Sequence, residues 1–351
     1  MPGRPRLREL GLAVGTLPVG ASNTITDVTG VLAGHVTVID AAAGHQTGVT
    51  AVVPGPWDRL PVPGARAGFI SGNGFGKVIG TTQVQETGRL ESPILLTGTL
   101  STFRVADHLV TALLERREYI DTMSVNPFVA ETNDGLLSDL AARPITLDHV
   151  RAVVDGASTE PLAEGCVGAG RGVRALGYKA GIGTSSRMIS SSAGEWTVGA
   201  VVQANFGGSL RIAGREVGTS LLPAEARASR GDHAAAASAF PGNSCVVVLA
   251  TDAPLDPATL RRLAARGVFA LARVGAAYQS HSGDYAIAFS TSVESPVDVE
   301  ADRVAFDRLL LGALDCVEEA VLNSLCAAET ITGRNGWTEY AIDVEALRAL
   351  A

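Results

Sequence analysis

The stretch Phe240-Pro-Gly-Asn-Ser-Cys-Val-Val-Val-Leu-Ala-Thr-Asp-Ala-Pro-Leu255 is where a loose, alanine-rich segment stops and a short, strongly apolar run begins. Asn243-Ser244 sits at the joint. An apolar run this short, bounded by turn residues, predicts a buried strand. A serine at the mouth of such a strand ordinarily does no more than start it. The same arrangement, with room before the serine and rigidity after it, also meets the needs of a self-cleaving N-terminal nucleophile. There the hydroxyl attacks the carbonyl before it, the chain shifts from nitrogen to oxygen, and water cleaves the ester. The cut also makes the catalyst's base, because an amide nitrogen accepts no proton whereas a free α-amine has a pKa of about 7.7–8.0. At the joint itself both readings stay open.

On the upstream side, Leu222 to Ala239 lacks core residues and reads as a weak Ala-rich helix or a mobile loop. Downstream, Asp256-Pro-Ala-Thr starts a helix with Leu260, Leu263, Val268 and Leu271 on one face. His281 to Thr291 is a turn into a strand, and residues 299–327 carry the longest helical pattern, from Val304 through Leu325. Earlier in the chain, Gly30–Ala33, His35–Ile39, Thr47–Val53 and Pro93–Thr97 read as short strands, and Thr102–Arg117 and Asp148–Ala157 as helices. The glycine-dense Ala67–Gly76 lets backbone pass close to another strand or a ligand. Val125–Leu136 crowds Glu131, Asn133 and Asp134 before a glycine, as an Asx turn capping the next helix does. Gly168-Ala-Gly170-Arg-Gly172 opens like a dinucleotide loop but lacks the glycine three residues after Gly170, and residues 173–187 are too Gly-broken for the helix that motif needs. Glu195–Asn205 is a strand ending on a polar residue and two glycines. Strands and helices both recur, so the class is mixed α and β.

The 351 residues suffice for one large or two ordinary domains. With 46% apolar and 18% charged residues the composition is globular, and a net charge of −8 gives no footprint for nucleic acid or an anionic membrane. No apolar run approaches the roughly 20 residues that span a bilayer, and the basic N-terminus leads into no signal sequence. The four cysteines lack CxxC spacing and are expected as buried thiols, which suits a cytoplasmic location. The six histidines form no ligand-spaced cluster, so neither metal nor cofactor is expected.

Set together, these pieces resemble one family. Ser244–Leu255 looks like the nucleophile strand of the L-aminopeptidase/D-Ala-esterase (amidase) family, which includes the β-aminopeptidases and nylon-oligomer hydrolases. Asn23–Val31 with Gly34-His35, Gly72-Asn-Gly with Gly80-Thr-Thr, Asn126-Pro, Glu131–Gly135, Gly177–Arg187, Val202–Asn205, His281–Asp284 and Glu329–Gly333 occur in the family's order over nearly the whole chain. The resemblance implies a single catalytic domain over 1–351, α+β in class, built as a four-layer α/β/β/α sandwich. It implies self-cleavage between Asn243 and Ser244 into chains 1–243 and 244–351, with Ser244 both new N-terminus and nucleophile. Asn205 matches an oxyanion-hole asparagine; by its residues alone it is a strand-end turn former. Ser282 and Asp284 match the pair that orients the nucleophile and its amine, where the plain alternative is a Ser-Gly-Asp turn. Lys179 matches a lysine some relatives place near the site, against a solvated surface lysine.

The implied reaction is hydrolysis of an N-terminal amino-acyl amide or ester, on small peptides or similar substrates, by a homo-oligomer, with a tetramer expected. Glu131 and Asp134 sit where a carboxylate would hold a substrate's amine. Leu136 stands where some members carry a substrate-contacting tyrosine, which leaves substrate preference open. Cys245 follows the nucleophile where a plain aliphatic is expected. Two other readings compete: acyl transfer to an amino acid, as in the fold-related ornithine acetyltransferases, and an uncut, non-catalytic ligand-binding member.

Overall fold

Two β-sheets, of five and six strands, lie face to face in the computed structural model, which describes residues 4–55, 57, 60, 63–192, 194–228 and 243–351. The first strands in chain order are β1 (Val31–Asp40), β2 (His45–Pro54), β3 (Ala65–Gly74), β4 (Val78–Ile79), β5 (Arg89–Leu90), β6 (Ile94–Gly98) and β7 (Phe128–Thr132). A two-strand ribbon, β8 (Arg174–Ala175) with β9 (Tyr178–Lys179), leads to the hairpin β10 (Ile182–Ser191) and β11 (Gly194–Asn205). A second ribbon, β12 (Arg211–Ile212) with β13 (Arg215–Glu216), precedes β14 (Asn243–Thr251) and β15 (Ser282–Ser290). One sheet runs β1-β2-β6-β7-β4 and the other β10-β11-β14-β15-β3-β5.

Helices α1 (Thr81–Thr87), α2 (Thr102–Leu114), α3 (Leu147–Asp155), α4 (Ala224–Ala228), α5 (Pro257–Leu271) and α6 (Arg303–Cys326) complete the frame. Val105, Leu109, Leu113, Val150 and Val153 of α2 and α3 pack on Val49, Ala51, Leu95 and Val129 of the first sheet. Leu260, Leu263 and Val268 of α5, with Leu309, Ala313 and Val317 of α6, cover Val198, Val202, Val247 and Leu249 of the second. Between the sheets, Val52, Ile94, Leu96 and Ala130 meet Val201, Val246, Val248 and Ile287. The order is therefore helix, sheet, sheet, helix, the four layers the family resemblance implied.

β14 is the expected buried strand, and it reads as a continuous apolar run because both its faces are covered. Val246, Val248 and Ala250 point between the sheets, and Cys245, Val247 and Leu249 toward the helices. Cys245 thus packs as an aliphatic, and burial holds its thiol far above the ordinary cysteine range, with Asp284 adding to the effect. α5 carries the chain from β14 to the parallel β15, and its own start is fixed by Asp256, whose carboxylate accepts from Thr259 N–H at 2.9 Å. Within the glycine-dense stretch in β3, Gly68 admits this helix: a Cβ there would lie 2.2 Å from the Arg261 backbone nitrogen.

The structure departs from the sequence reading in several places. The two runs at 30–39 form one strand, β1. Residues 128–132 are strand β7, and the turn after them leads to no helix until Leu147. Val304 is 68% exposed, so the apolar stripe of α6 begins after it. Of the loose Leu222–Ala239 segment, the part through Ala228 includes the short helix α4, and the remainder lies outside the described residues. β10 escaped the apolar-pattern reading because it is polar yet buried. Its Arg187 pairs with Glu319 of α6 at 2.6 Å, both side chains wholly inaccessible, and Arg8 and Asn23 also donate to that carboxylate. Glu319→Ala is expected to cost about 3–5 kcal/mol, because it strands the Arg187 charge in the interior. Urea denaturation checks this, and a loss below about 1 kcal/mol would show that the interior rearranges to neutralise the arginine.

Candidate active site

Strand register alone brings the expected residues to one place. Ser244, the second residue of β14, lies opposite Asn205, the last of β11, and beside Gly283 of the parallel β15. Side chains directly opposite in an antiparallel pair share a face, with Cβ atoms about 4.5–5.5 Å apart. Because side chains alternate along a strand, Ser244 faces the same way as Val246, between the sheets, and Asn205 faces with it. Both are buried. From the facing sheet, the backbone N–H of Asn133 donates to Ser244 Oγ at 3.3 Å. Asn205 Oδ1 accepts from Arg174 N–H at 3.2 Å, which fixes the carbonyl end of the amide and makes the NH2 end the donor.

Ser282 and Asp284 lie on the other face of the sheet, with Ala286. Ser282 pairs with Asn243 and Asp284 with Cys245, which sets the two side chains beside the main chain of the joint and not beside the serine hydroxyl. Ser282 Oγ donates to Asp284 Oδ1 at 2.8 Å. Asp284 Oδ2 is buried with no hydrogen-bond partner among the described residues. Burial raises the Asp284 pKa above the ordinary carboxylate range, while Ser282 and the Asn73 side chain partly offset the rise. Asn73, opposite Asp284 in β3, donates to the Gln279 carbonyl at 2.7 Å, and the Asn243 side-chain amide donates to Gln279 Oε1.

Glu131 lies in β7, two residues before the Asn133 N–H that reaches Ser244. Its buried carboxylate accepts from Lys77 N–H and pairs with Lys77 Nζ, each at 3.1 Å. A Cβ on Gly76 would stand 3.1 Å from the Tyr285 hydroxyl and 3.2 Å from Glu131 Oε1, so this glycine leaves room for both groups. Burial, aided by Glu131 and Asp284, pushes the Tyr285 phenol up to about 12, so it remains a donor at neutral pH. A phenol is therefore present although the sequence after Asn-Asp-Gly has none; it comes from β15.

Asp134 is placed differently. Its carboxyl is wholly buried, bonded to the Thr47 side chain and packed on Gly98, where a Cβ would be 2.6 Å from it. Glu131 and Asp134 are equally buried and differ in their partners, Lys77 for the first and Thr47 for the second, and Leu136 is half-buried in the turn beyond them. Burial pushes the Asp134 pKa up to about 6. A raised carboxyl contributes most stability below the unfolded value near 4 and loses that contribution as pH rises through the folded value near 6. Asp134→Asn should therefore flatten the pH dependence by roughly 1–3 kcal/mol between pH 4 and 7. Unfolding midpoints of the two proteins across that range check this; parallel curves would remove Asp134 as the titrating group.

Lys179, at the end of β9, is also fully buried and is no surface lysine. Its Nζ donates to the carbonyls of Gly170, at 3.3 Å, and of Ala180, with the Cys166 thiol alongside. Burial lowers its pKa, and Cys166 partly restores it. No hydrogen bond joins it to Ser244 among the described residues. What the sequence reading did not single out are Asn73, Lys77, Tyr285, Gln279 and the Asn133 N–H. Only Asn73 had a signal, within Gly72-Asn-Gly.

A serine-headed inner strand in an α/β/β/α sandwich defines a hydrolase of the N-terminal-nucleophile fold class. Peptidase family S58 matches residues 23–339. A β-peptidyl aminopeptidase of Sphingosinicella microcystinivorans is 38% identical over 368 residues, covering 99% of this chain and 91% of that protein. The L-aminopeptidase D-Ala-esterase/amidase of Ochrobactrum anthropi, described as a prototype of the serine aminopeptidases and a variant of the Ntn hydrolase fold, superposes with a TM-score of 0.85 at 35% identity, over 99% of this chain and 98% of that one. A Burkholderia sp. β-aminopeptidase superposes at 0.82 with 34% identity, over 99% of both chains. The chain belongs to peptidase family S58, and it is an enzyme, a hydrolase of the serine aminopeptidase type. Acyl transfer and non-catalytic binding are not favoured beside relatives of this kind. Among the described residues no helix is long and apolar enough to cross a membrane.

Proposed function

We propose that the precursor cuts itself between Asn243 and Ser244, and that the freed Ser244 is the nucleophile of an aminopeptidase acting on small peptides and amino-acyl amides or esters. The observation that carries this reading is the convergence at one strand head: Asn205 and the Asn133 N–H on the hydroxyl side, Ser282 and Asp284 on the main-chain side. In self-cleavage, Ser244 Oγ attacks the Asn243 carbonyl carbon, and the bond to the Ser244 nitrogen breaks as that nitrogen takes up a proton. Water then hydrolyses the ester, leaving the Asn243 carboxylate and a free Ser244 amine. In turnover the amine takes the hydroxyl proton, the hydroxyl forms an acyl-enzyme, and the protonated amine passes its proton to the leaving amine. Asp284, with Ser282 on one oxygen, steadies the ammonium form, while Asn205 and the Asn133 N–H receive the oxyanion. No role in the chemistry is assigned to Lys179 beyond holding the Gly170–Ala180 turn.

Glu131 is the carboxylate that holds the substrate's amine, beside Tyr285. Exchange of Lys77 for the substrate's ammonium keeps its charge balanced. β-Aminoacyl substrates are included in the proposed range, in line with the names of the relatives. Glu131→Gln is expected to raise KM for amino-acyl p-nitroanilides by about tenfold or more while self-cleavage persists. An unchanged KM across α-L, D and β-amino acyl members of such a panel would move the amine site elsewhere. A homotetramer in the cytoplasm completes the proposal, which the four free thiols suit; light scattering checks the assembly.

A further inference from the structure

At the far end of β15 from Ser244 a cleft of about 180 Å3 opens between Pro54, Arg66, Arg89, Ser290, Thr291 and Ser292. Eight residues of extended strand separate Ser282 from Ser290, roughly 26 Å, so this cleft is separate from the serine site. Arg66 of β3 and Arg89 of β5 stand directly opposite one another in the antiparallel pair. Like charges in that position are destabilising. Arg66 is also 8% exposed, and both burial and the neighbouring Arg89 lower its pKa.

Neither guanidinium has an ion-pair partner among the described residues. Arg66 Nη2 donates to the Ser292 carbonyl at 2.8 Å and Arg89 Nη1 to the Gly64 carbonyl at 3.2 Å, both neutral acceptors. The carboxylate that acts on Arg66 is Asp256, and both its oxygens are taken by the Thr259 N–H and hydroxyl at the start of α5, each at 2.9 Å. The Ser292 hydroxyl accepts from Glu294 N–H at 3.3 Å, and its own proton has no acceptor among the described residues. Two arginines with no ion-pair partner among the described residues and a hydroxyl donor thus line a cleft with room for several water molecules, at about 30 Å3 each. A bound oxyanion would offset the repulsion and take bidentate hydrogen bonds from planar guanidinium groups.

We propose that the Arg66–Arg89 cleft binds a small multivalent oxyanion, a phosphate or a polycarboxylate. The test uses the purified full-length enzyme, with thermal unfolding and calorimetry against inorganic phosphate and against citrate, ionic strength being matched with sodium chloride. A saturable rise of roughly 2–4 °C is expected with at least one anion and none with chloride. Phosphate alone or citrate alone would identify the source, and both would establish shared oxyanion recognition. Arg89→Gln should weaken binding at least tenfold and leave amino-acyl turnover unchanged. In anion-free buffer it should also melt higher than the wild type, because the like-charge pair is gone. Arg66→Lys, which keeps the charge but loses the planar fork, should weaken binding less than Arg89→Gln. The same rise in chloride, no saturable rise with either anion, or an equal rise in Arg89→Gln would each overturn the proposal and reduce the cleft to an adventitious ion site only. These results are independent of self-cleavage at Ser244, since they are read from stability and heat.

Discussion

Ser244→Ala is expected to give a folded, uncut chain of 36.0 kDa that hydrolyses no amino-acyl substrate. Alanine removes the oxygen that both reactions need, so the shift to an ester cannot begin and no free α-amine is made. The fold should be unaffected, because residue 244 contributes its backbone to the ladder with β11 and β15 whether or not it carries a hydroxyl. Removing a nucleophile that works with its base as one unit typically lowers kcat on the order of 10⁶-fold, which here means background. Denaturing electrophoresis after long incubation and a p-nitroanilide assay are sufficient. Two fragments in the alanine variant would place the scissile bond elsewhere.

Asn205→Ala should lower kcat by about 10²–10³, equivalent to roughly 3–4 kcal/mol, with KM nearly unchanged. The amide acts on charge that exists only in the tetrahedral intermediate, so ground-state binding has little to lose. Self-cleavage passes through the same kind of oxyanion at the same hydroxyl and should slow as well. The fold loses one acceptor for the Arg174 N–H, worth about 1 kcal/mol, so the protein should still be recovered folded. Wild-type turnover in a fully cleaved Asn205→Ala enzyme would leave the Asn133 N–H as the sole donor on that side.

Much of the fold was legible because its largest buried pieces announce themselves. β14, α2, α5 and the long α6 carry apolar patterns of the right period, since each buries apolar surface in the ordinary way. β7 and β10 were not legible. β7 ends in Glu131 and Thr132, polar groups that belong to the site or the inter-sheet space, so its five residues look like part of a turn. β10 buries Ser185, Ser186 and Arg187, the serines hydrogen-bonded and the arginine paired with Glu319, and polar groups met that way leave no hydrophobic pattern. The site divides along the same line. Asn205, Ser282 and Asp284 could be expected at the joint from the family resemblance, and strand register does place them there, whereas the Asn133 donor is a backbone group that any residue supplies. Asp134 and Glu131 were indistinguishable in sequence, three residues apart; what separates them in the fold is their partners, Thr47 and Gly98 for Asp134 and Lys77 for Glu131.

β14 and β15 stand in the middle of the six-stranded sheet, flanked by β11 on one side and β3 on the other. A cut at Asn243–Ser244 would make them, with α5 and α6, a wedge from the shorter fragment driven between strand pairs of the longer one. Every strand of the wedge is hydrogen-bonded on both edges, so severing one peptide bond would release nothing. The mature enzyme would be two polypeptides sharing one hydrophobic interior, held at no interface that dilution can open. Unfolding it would be a one-way event, because the uncut chain brings the wedge to its place by tether and the cut fragments have to find each other in solution. Assembly must then come before cleavage, and the order of those two events becomes a requirement for activity.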